Sequence, residues 1–93
     1  MKVKDILRSK SRDIEVIGTI VKMEPIQLAS KKLVKATLED ETGSIILNLW
    51  GTQVDQCRLG DVVRVRKAYV KVHNGIPELN TWEDIEVLER AES

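Results

Sequence analysis

Residues 40–51 read DETGSIILNLWG. Asp40-Glu41-Thr42-Gly43 has the composition of a tight turn, in which short polar side chains bond their own backbone and a glycine relieves the bend. The seven residues that follow alternate as a strand does. Ile45, Leu47 and Leu49 point to one face, and Ile46, Asn48 and Trp50 to the other. With the first three building a core, Trp50 faces outward beside Asn48. The chain has two tryptophans, one tyrosine and no phenylalanine. A large aromatic placed on an outer face in so aromatic-poor a chain points to a bound partner.

Upstream of the turn, KLVKATLED (32–40) alternates in the same way. Val34, Ala36 and Leu38 face the core, and Lys35, Thr37 and Glu39 face out, so residues 32–50 read as a hairpin. Before it, DIEVIGTIVKM (13–23) is β-branched and apolar, with Gly18 marking a bulge or bend. Pro25 ends that strand, which leaves EPIQLASKK (24–32) as a loop. At the N-terminus Val3, Ile6 and Leu7 have the spacing of one helical turn laid on a core.

Downstream, GTQVDQCRLGD (51–61) reads as a short helix with Thr52 as N-cap, Gly60 as stop, and Val54, Cys57 and Leu59 on the buried side. In DVVRVRKAYVKVH (61–73), Val63 and Val65 share one parity, and Ala68, Val70 and Val72 the other. A one-residue bulge at Arg66-Lys67 returns both sets to the core and turns Arg64, Tyr69, Lys71 and His73 outward. Asn74-Gly75 is a strong hairpin signal. IPELNTW (76–82) is the returning strand, with Pro77 at its start or on an edge, and DIEVLE (84–89) is a last extended piece, with Ile85 and Val87 inward.

Five bent antiparallel strands with a short helix between the third and fourth describe an all-β, five-stranded Greek-key OB-fold barrel, with the helix closing one end. A half-open sandwich or an SH3-like barrel is the alternative architecture; the helical insert favours the OB fold. The 93 residues suit one domain, 1–93, with a core of aliphatic side chains.

Composition excludes several classes. No apolar run is long enough to span a membrane, and the N-terminus has no apolar signal core. One cysteine forms no intramolecular disulfide, and one histidine leaves no metal quartet, so neither metal nor cofactor is expected. Cys57 reads as a small buried apolar side chain. Catalysis finds no Cys/His pair and no phosphate-cradling glycine loop. Asp40 and Glu41 sit in a turn, where carboxylates cap amides. A non-enzymatic, intracellular protein follows.

Formal net charge is zero, from 15 basic and 15 acidic residues. The zero conceals segments: residues 1–12 are net +4, 58–71 net +4 and 78–93 net −5. Lys2, Lys4, Arg8, Lys10 and Arg12 read as a solvated N-terminal segment.

Four stretches carry a family resemblance: VKDIL, DIEVIGTIVKM, LEDETGSIILNLWG and LGDVVRVRKAYVKVHNGIPELN. With these the chain resembles the archaeal single-stranded DNA-binding proteins and the OB-fold domains of archaeal replication protein A. The likeness covers nearly the whole chain, and the acidic-Thr-Gly turn leading to a strand that ends in Trp-Gly is its most specific part. It implies non-sequence-specific binding of single-stranded DNA in replication, repair or recombination, with bases stacked on the open barrel face. It implies a cytoplasmic, nucleoid-associated place, and other OB-fold subunits or replication and repair proteins as partners. Replication protein A chains often hold several OB units and a zinc module, so this single unit is either an excised domain or a stand-alone paralogue. By position Trp50 matches the tryptophan closing the third strand. Tyr69 matches an aromatic on the fourth strand, and His73 stands where a larger aromatic is usual.

The residues support that reading independently. Single strands are bound by flat side chains under the bases and cations along the phosphates. Trp50 and Tyr69 are the flat surfaces. Arg64, Arg66, Lys71, Lys35 and Lys32 supply charge, and Asn48 and His73 complete the candidate site. Trp82 precedes the acidic tail and reads as structural. Neutral net charge and few aromatics suit a second class, an OB fold used as a protein-interaction or accessory subunit. RNA stays open, because stacking does not read the 2′-hydroxyl.

Overall fold

A computed structural model of the chain describes residues 2–8, 12–28 and 30–91. Lys10 of the basic N-terminal segment lies outside them. The elements are α1 (Val3–Arg8), β1 (Ile14–Gln27), β2 (Lys32–Asp40), β3 (Gly43–Trp50), a 3₁₀ helix (Gly51–Asp55), β4 (Val62–His73), β5 (Ile76–Asn80) and β6 (Glu86–Glu89). The strands run in the order β1-β2-β3-β5-β4, and β4 pairs back onto β1, so five strands close a ring. Among the described strands only β3 and β5 pair parallel, through Ile46 with Glu78 and Leu47 with Leu79. This is the OB-fold barrel, with a 3₁₀ helix as the insert between β3 and β4 and β6 added outside the ring against β4.

The inward faces are those the alternation dictates. Ile45, Leu47 and Leu49 of β3 meet Val34, Ala36 and Leu38 of β2 and Val63, Val65 and Ala68 of β4 in one aliphatic cluster. β4 changes parity where expected. Ile14 pairs with Ala68 and Val16 with Val65, so the single residue between them on β1 opposes two on β4, and the extra residue falls at Arg66-Lys67. Lys67 takes φ +49 there. A bulge re-aims the strand without removing either apolar set from the core.

The turn at 40–43 also positions α1. Asp40 pairs with Gly43, leaving Glu41-Thr42 as a two-residue connection. The Asp40 carboxylate accepts the Thr42 N–H (2.7 Å), the Thr42 hydroxyl (2.6 Å) and the Val3 N–H (2.9 Å). Burial pushes this carboxyl up, but those bonds, with the charge of Lys2, outweigh it and hold Asp40 below its ordinary value. Val3 and Ile6 of α1 then fill the core.

Several expectations need correction. β1 does not end at Pro25: it runs to Gln27, and Pro25 pairs with Val34. Beyond Thr19 this strand has a neighbour on one side only, where a residue without an N–H is tolerated. The loop to β2 shrinks to residues 28–31. Gly18 is not the bulge, which falls between Ile20 and Lys22. It gives β2 room instead, since a Cβ at Gly18 would stand 2.8 Å from the Glu39 carbonyl oxygen. Leu7, Leu59 and Val72 are exposed rather than buried, each lying where the chain leaves the core. Thr52 is not the cap: Trp50 precedes the 3₁₀ helix, and the Gln53 side chain accepts the Trp50 N–H at 3.0 Å.

Candidate nucleic-acid interface

β2, β3, β5 and the far half of β4 lie side by side, and their outward residues form rows across the barrel. Lys35 pairs with Asn48. The parallel β3–β5 register sets Asn48 level with Asn80, and Asn80 pairs with Tyr69. Thr37, Ile46, Glu78 and Lys71 form the next row in the same way.

A polar network ties the rows together. Lys35 Nζ donates to Glu78 Oε2 at 2.7 Å and Asn48 Nδ2 donates to Glu78 Oε1 at 2.9 Å. Asn48 Nδ2 also reaches Asn80 Oδ1 at 3.3 Å, and Trp50 Nε1 donates to the same oxygen at 3.2 Å. Asn48, Glu78 and Asn80 are all buried. Burial pushes the Glu78 carboxyl up; the bonds from Asn48 and Lys35, and the charges of Lys35 and His73, outweigh it and leave it below its ordinary value. Glu78 is thus an anion that fixes Lys35 and Asn48 in place.

This network decides how Trp50 is presented. The indole is 40% exposed and its N–H is held by Asn80, so its orientation is set while part of the ring stays open. An indole N–H only donates, so Asn80 must offer its oxygen to Trp50. That turns Asn80 Nδ2 away, and this buried donor has no partner among the described residues. Half-buried Tyr69 lies directly beside Asn80.

The candidate cations divide into groups. Lys71 on β4 is exposed and makes no ion pair among the described residues. His73 lies exposed at the β4–β5 hairpin tip beside Asn74, where Asn74 and Gly75 both take positive φ, as a type I′ turn requires. Lys32 begins β2 and meets Asp55 at 3.2 Å. Arg64 and Arg66 are not brought to these rows. Arg64 sits opposite Ile17 of β1 and Glu86 of β6, and its guanidinium lies 3.3 Å from Glu86. Arg66 pairs with Glu86 at 3.2 Å and with Glu15 at 3.8 Å. The bulge separates them from Tyr69 and Lys71: β4 flanks β1 before it and β5 after it.

Two residues stand out that the alternation did not single out. Gln53 is buried. Its Oε1 accepts the Trp50 N–H, and its Nε2 donates to the Thr81 and Glu83 carbonyls, both at 2.8 Å. One side chain therefore sets the backbone at both tryptophans. Nothing local in GTQVD signals this, because its partners lie about 30 residues away. Trp82 is a correction of another kind. It is not structural, being 86% exposed.

Asp61 and Cys57 serve the fold. Asp61 accepts the Arg58 and Ala91 N–H groups and faces Arg90; burial pushes its carboxyl up, and these partners bring it below its ordinary value. Burial, with the charge of Asp61, pushes the Cys57 thiol up to about 11. Among the described residues no cluster of His, Cys, Asp or Glu has the arrangement of a metal site. No described helix is long and apolar enough to cross a membrane.

The model of a family described as "single-stranded DNA binding protein Ssb-like, OB fold" matches residues 3–87. Among solved structures the chain is similar to the OB domain of Ta0387 from Thermoplasma acidophilum, at 26% identity and a TM-score of 0.81 over 100% of this chain and 90% of that one. It is also similar to the replication factor A related protein from Methanobacterium thermoautotrophicum, at 22% identity and a TM-score of 0.65 over 89% and 88% of the two chains. The second OB-fold domain of replication protein A from Methanococcus maripaludis has 23% identity and a TM-score of 0.64 over 87% and 88%. The last two similarities speak to fold alone. Among curated proteins none matches the chain in sequence.

Proposed function

The chain belongs to the single-stranded DNA-binding, Ssb-like family of OB folds, and from that premise we propose that it binds single-stranded DNA without sequence specificity, as a non-enzymatic module. The observation that carries this reading is the cluster of Trp50, Asn80 and Tyr69: a part-open indole whose N–H is held by a buried amide, and a half-buried phenol paired with that same amide's residue. Each base stacked on such a ring contributes ~1–3 kcal/mol, and any base serves because every base has a π face. Lys71 is the cation best placed to meet the phosphates. Lys35 and Lys32 lie on the same sheet but are shared with Glu78 and Asp55. Binding by the isolated unit is therefore weak, and tandem units or an OB-fold partner raise it by avidity. A role in replication, repair or recombination goes with that chemistry.

Titrating oligo-dT against tryptophan fluorescence, with labelled oligo-dT in parallel, tests this. Quenching and a saturable rise in anisotropy are expected at low salt. Absence of both would remove the proposal. Oligo-U in the same assay separates DNA from RNA. A protein-docking reading has one observation in its favour: the open groove beside the 28–31 loop, lined by Ile26, Leu28, Leu33 and Val54, is largely apolar.

A further inference from the structure

Trp82 lies just beyond β5 and is 86% exposed, more than any other large apolar side chain described. Folding gives no reason for an indole to stand in water. Its backbone is nonetheless fixed from both sides. Gln53 Nε2 holds the carbonyls of Thr81 and Glu83, and the Thr81 hydroxyl donates to the Arg66 carbonyl at 2.6 Å and accepts the Glu83 N–H at 3.1 Å. An exposed ring on a fixed backbone is pre-organised for a ligand, because less ordering remains to be done on binding.

The two sides of the ring differ in charge. On one side a groove of about 530 Å³ is lined by Arg12, Asp13, Lys67, Tyr69 and Trp82. Arg12 and Lys67 make no ion pair among the described residues. On the other side a hollow of about 360 Å³ is lined by Glu83, Asp84 and Glu86, with Arg66 already paired to Glu86. A polyanion is drawn to the first side and repelled from the second. Tyr69 joins the first groove to Trp50, since it lines the groove and also pairs with Asn80, which holds Trp50.

We propose that single-stranded DNA leaving the Trp50–Tyr69 face continues over Trp82, which stacks one further base while Arg12 and Lys67 take the adjacent phosphates. This rests on the function proposed above and extends it. The chain's three aromatic residues then form one track, and the acidic hollow fixes on which side of Trp82 the phosphate backbone runs.

The test compares Trp82→Ala, Lys67→Glu and Trp50→Ala with the parent chain, using labelled oligo-dT of about 12 nucleotides, inside the ~4–16 range of one OB fold. Trp82→Ala is expected to weaken binding about five- to 150-fold with an unchanged melting temperature, and Lys67→Glu to weaken it and flatten the salt dependence. In a Trp50→Phe background, oligo-dT is expected to quench the remaining Trp82 emission. If Trp50→Ala weakens binding while Trp82→Ala does not, and Trp82 emission stays unchanged on addition of DNA, the extension fails and the proposed function stands; Trp82 then serves a protein partner. If the parent chain binds and neither tryptophan affects binding, both the Trp50 stacking site and its extension fail; if the parent chain does not bind, the proposed function itself fails. An effect at Trp82 without one at Trp50 overturns the continuous track.

Discussion

Replacing Trp50 by alanine acts on fold and function together, and the structure supplies the magnitude of each. A tryptophan buries ~150–250 Å² when covered. With 40% exposed, the covered part amounts to ~90–150 Å², or about 2–4 kcal/mol at ~25 cal/mol per Å². The bond from Nε1 to Asn80 Oδ1 adds about 1 kcal/mol. Trp50→Ala should therefore lower stability by about 3–5 kcal/mol and also remove a stacking surface that contributes ~1–3 kcal/mol to binding. Trp50→Phe separates the two effects. It retains a flat ring and most of the packing, and Asn80 Oδ1 still accepts from Asn48. Its stability loss should be about 1–2 kcal/mol, mostly the indole bond, and its loss of affinity less than tenfold. The assay is thermal melting and oligo-dT anisotropy on the same samples, with affinity expressed per folded molecule. An alanine variant that melts early but binds as well per folded molecule as the parent would refute the stacking role and make Trp50 a rim residue of the barrel.

Further outcomes follow from the same geometry. Lys71→Ala should flatten the dependence of log K on log salt by about 0.7, the single-strand value per phosphate contact, whereas Arg64→Ala, whose guanidinium is taken up by Glu86, should leave the slope close to that of the parent; equal effects would place the DNA on the wrong side of β4. Gln53→Leu removes three hydrogen bonds and strands the Thr81 carbonyl, so denaturant melts should show a loss of about 3 kcal/mol, and the anisotropy of Trp82 emission should fall as its turn loosens; a rigid Trp82 in that variant would contradict the pinning. Acid titration tests the carboxylates. Glu78, Asp40 and Asp61 each hold a proton less readily in the folded chain than in the unfolded one. The unfolded state takes up protons first as pH falls, so their contribution is complete above the ordinary carboxylate range and lost as pH drops below about 4.5 and on through their folded values. Glu78→Gln should lessen that acid loss, and an unchanged acid profile in this variant would show that the network carries no net stabilisation.

Alternation and turn composition alone determined most of the architecture. The parity of Ile45, Leu47 and Leu49 against Asn48 and Trp50, the Asp40 turn, the Arg66-Lys67 bulge and the Asn74-Gly75 hairpin are local consequences of a period of two and of positive-φ chemistry. They are legible because each depends on neighbours a few residues away. The local rule failed at Pro25, because its tolerance depends on whether a strand lies on its far side, which only the assembled sheet decides. The same holds for the candidate interface. Outward parity assigned Lys35, Asn48, Arg64, Tyr69 and Lys71 to the barrel surface but not to regions of it. Closure of the ring set the parallel β3–β5 pair and so brought Asn48, Glu78 and Asn80 together across 30 to 32 residues of chain. It carried Arg64 to the β6 side and Tyr69 to the Asn80 side of one strand. Gln53 and Trp82 acquired their places in the same step, because a buried amide finds its carbonyls, and an indole is covered or left in water, only when distant segments have packed.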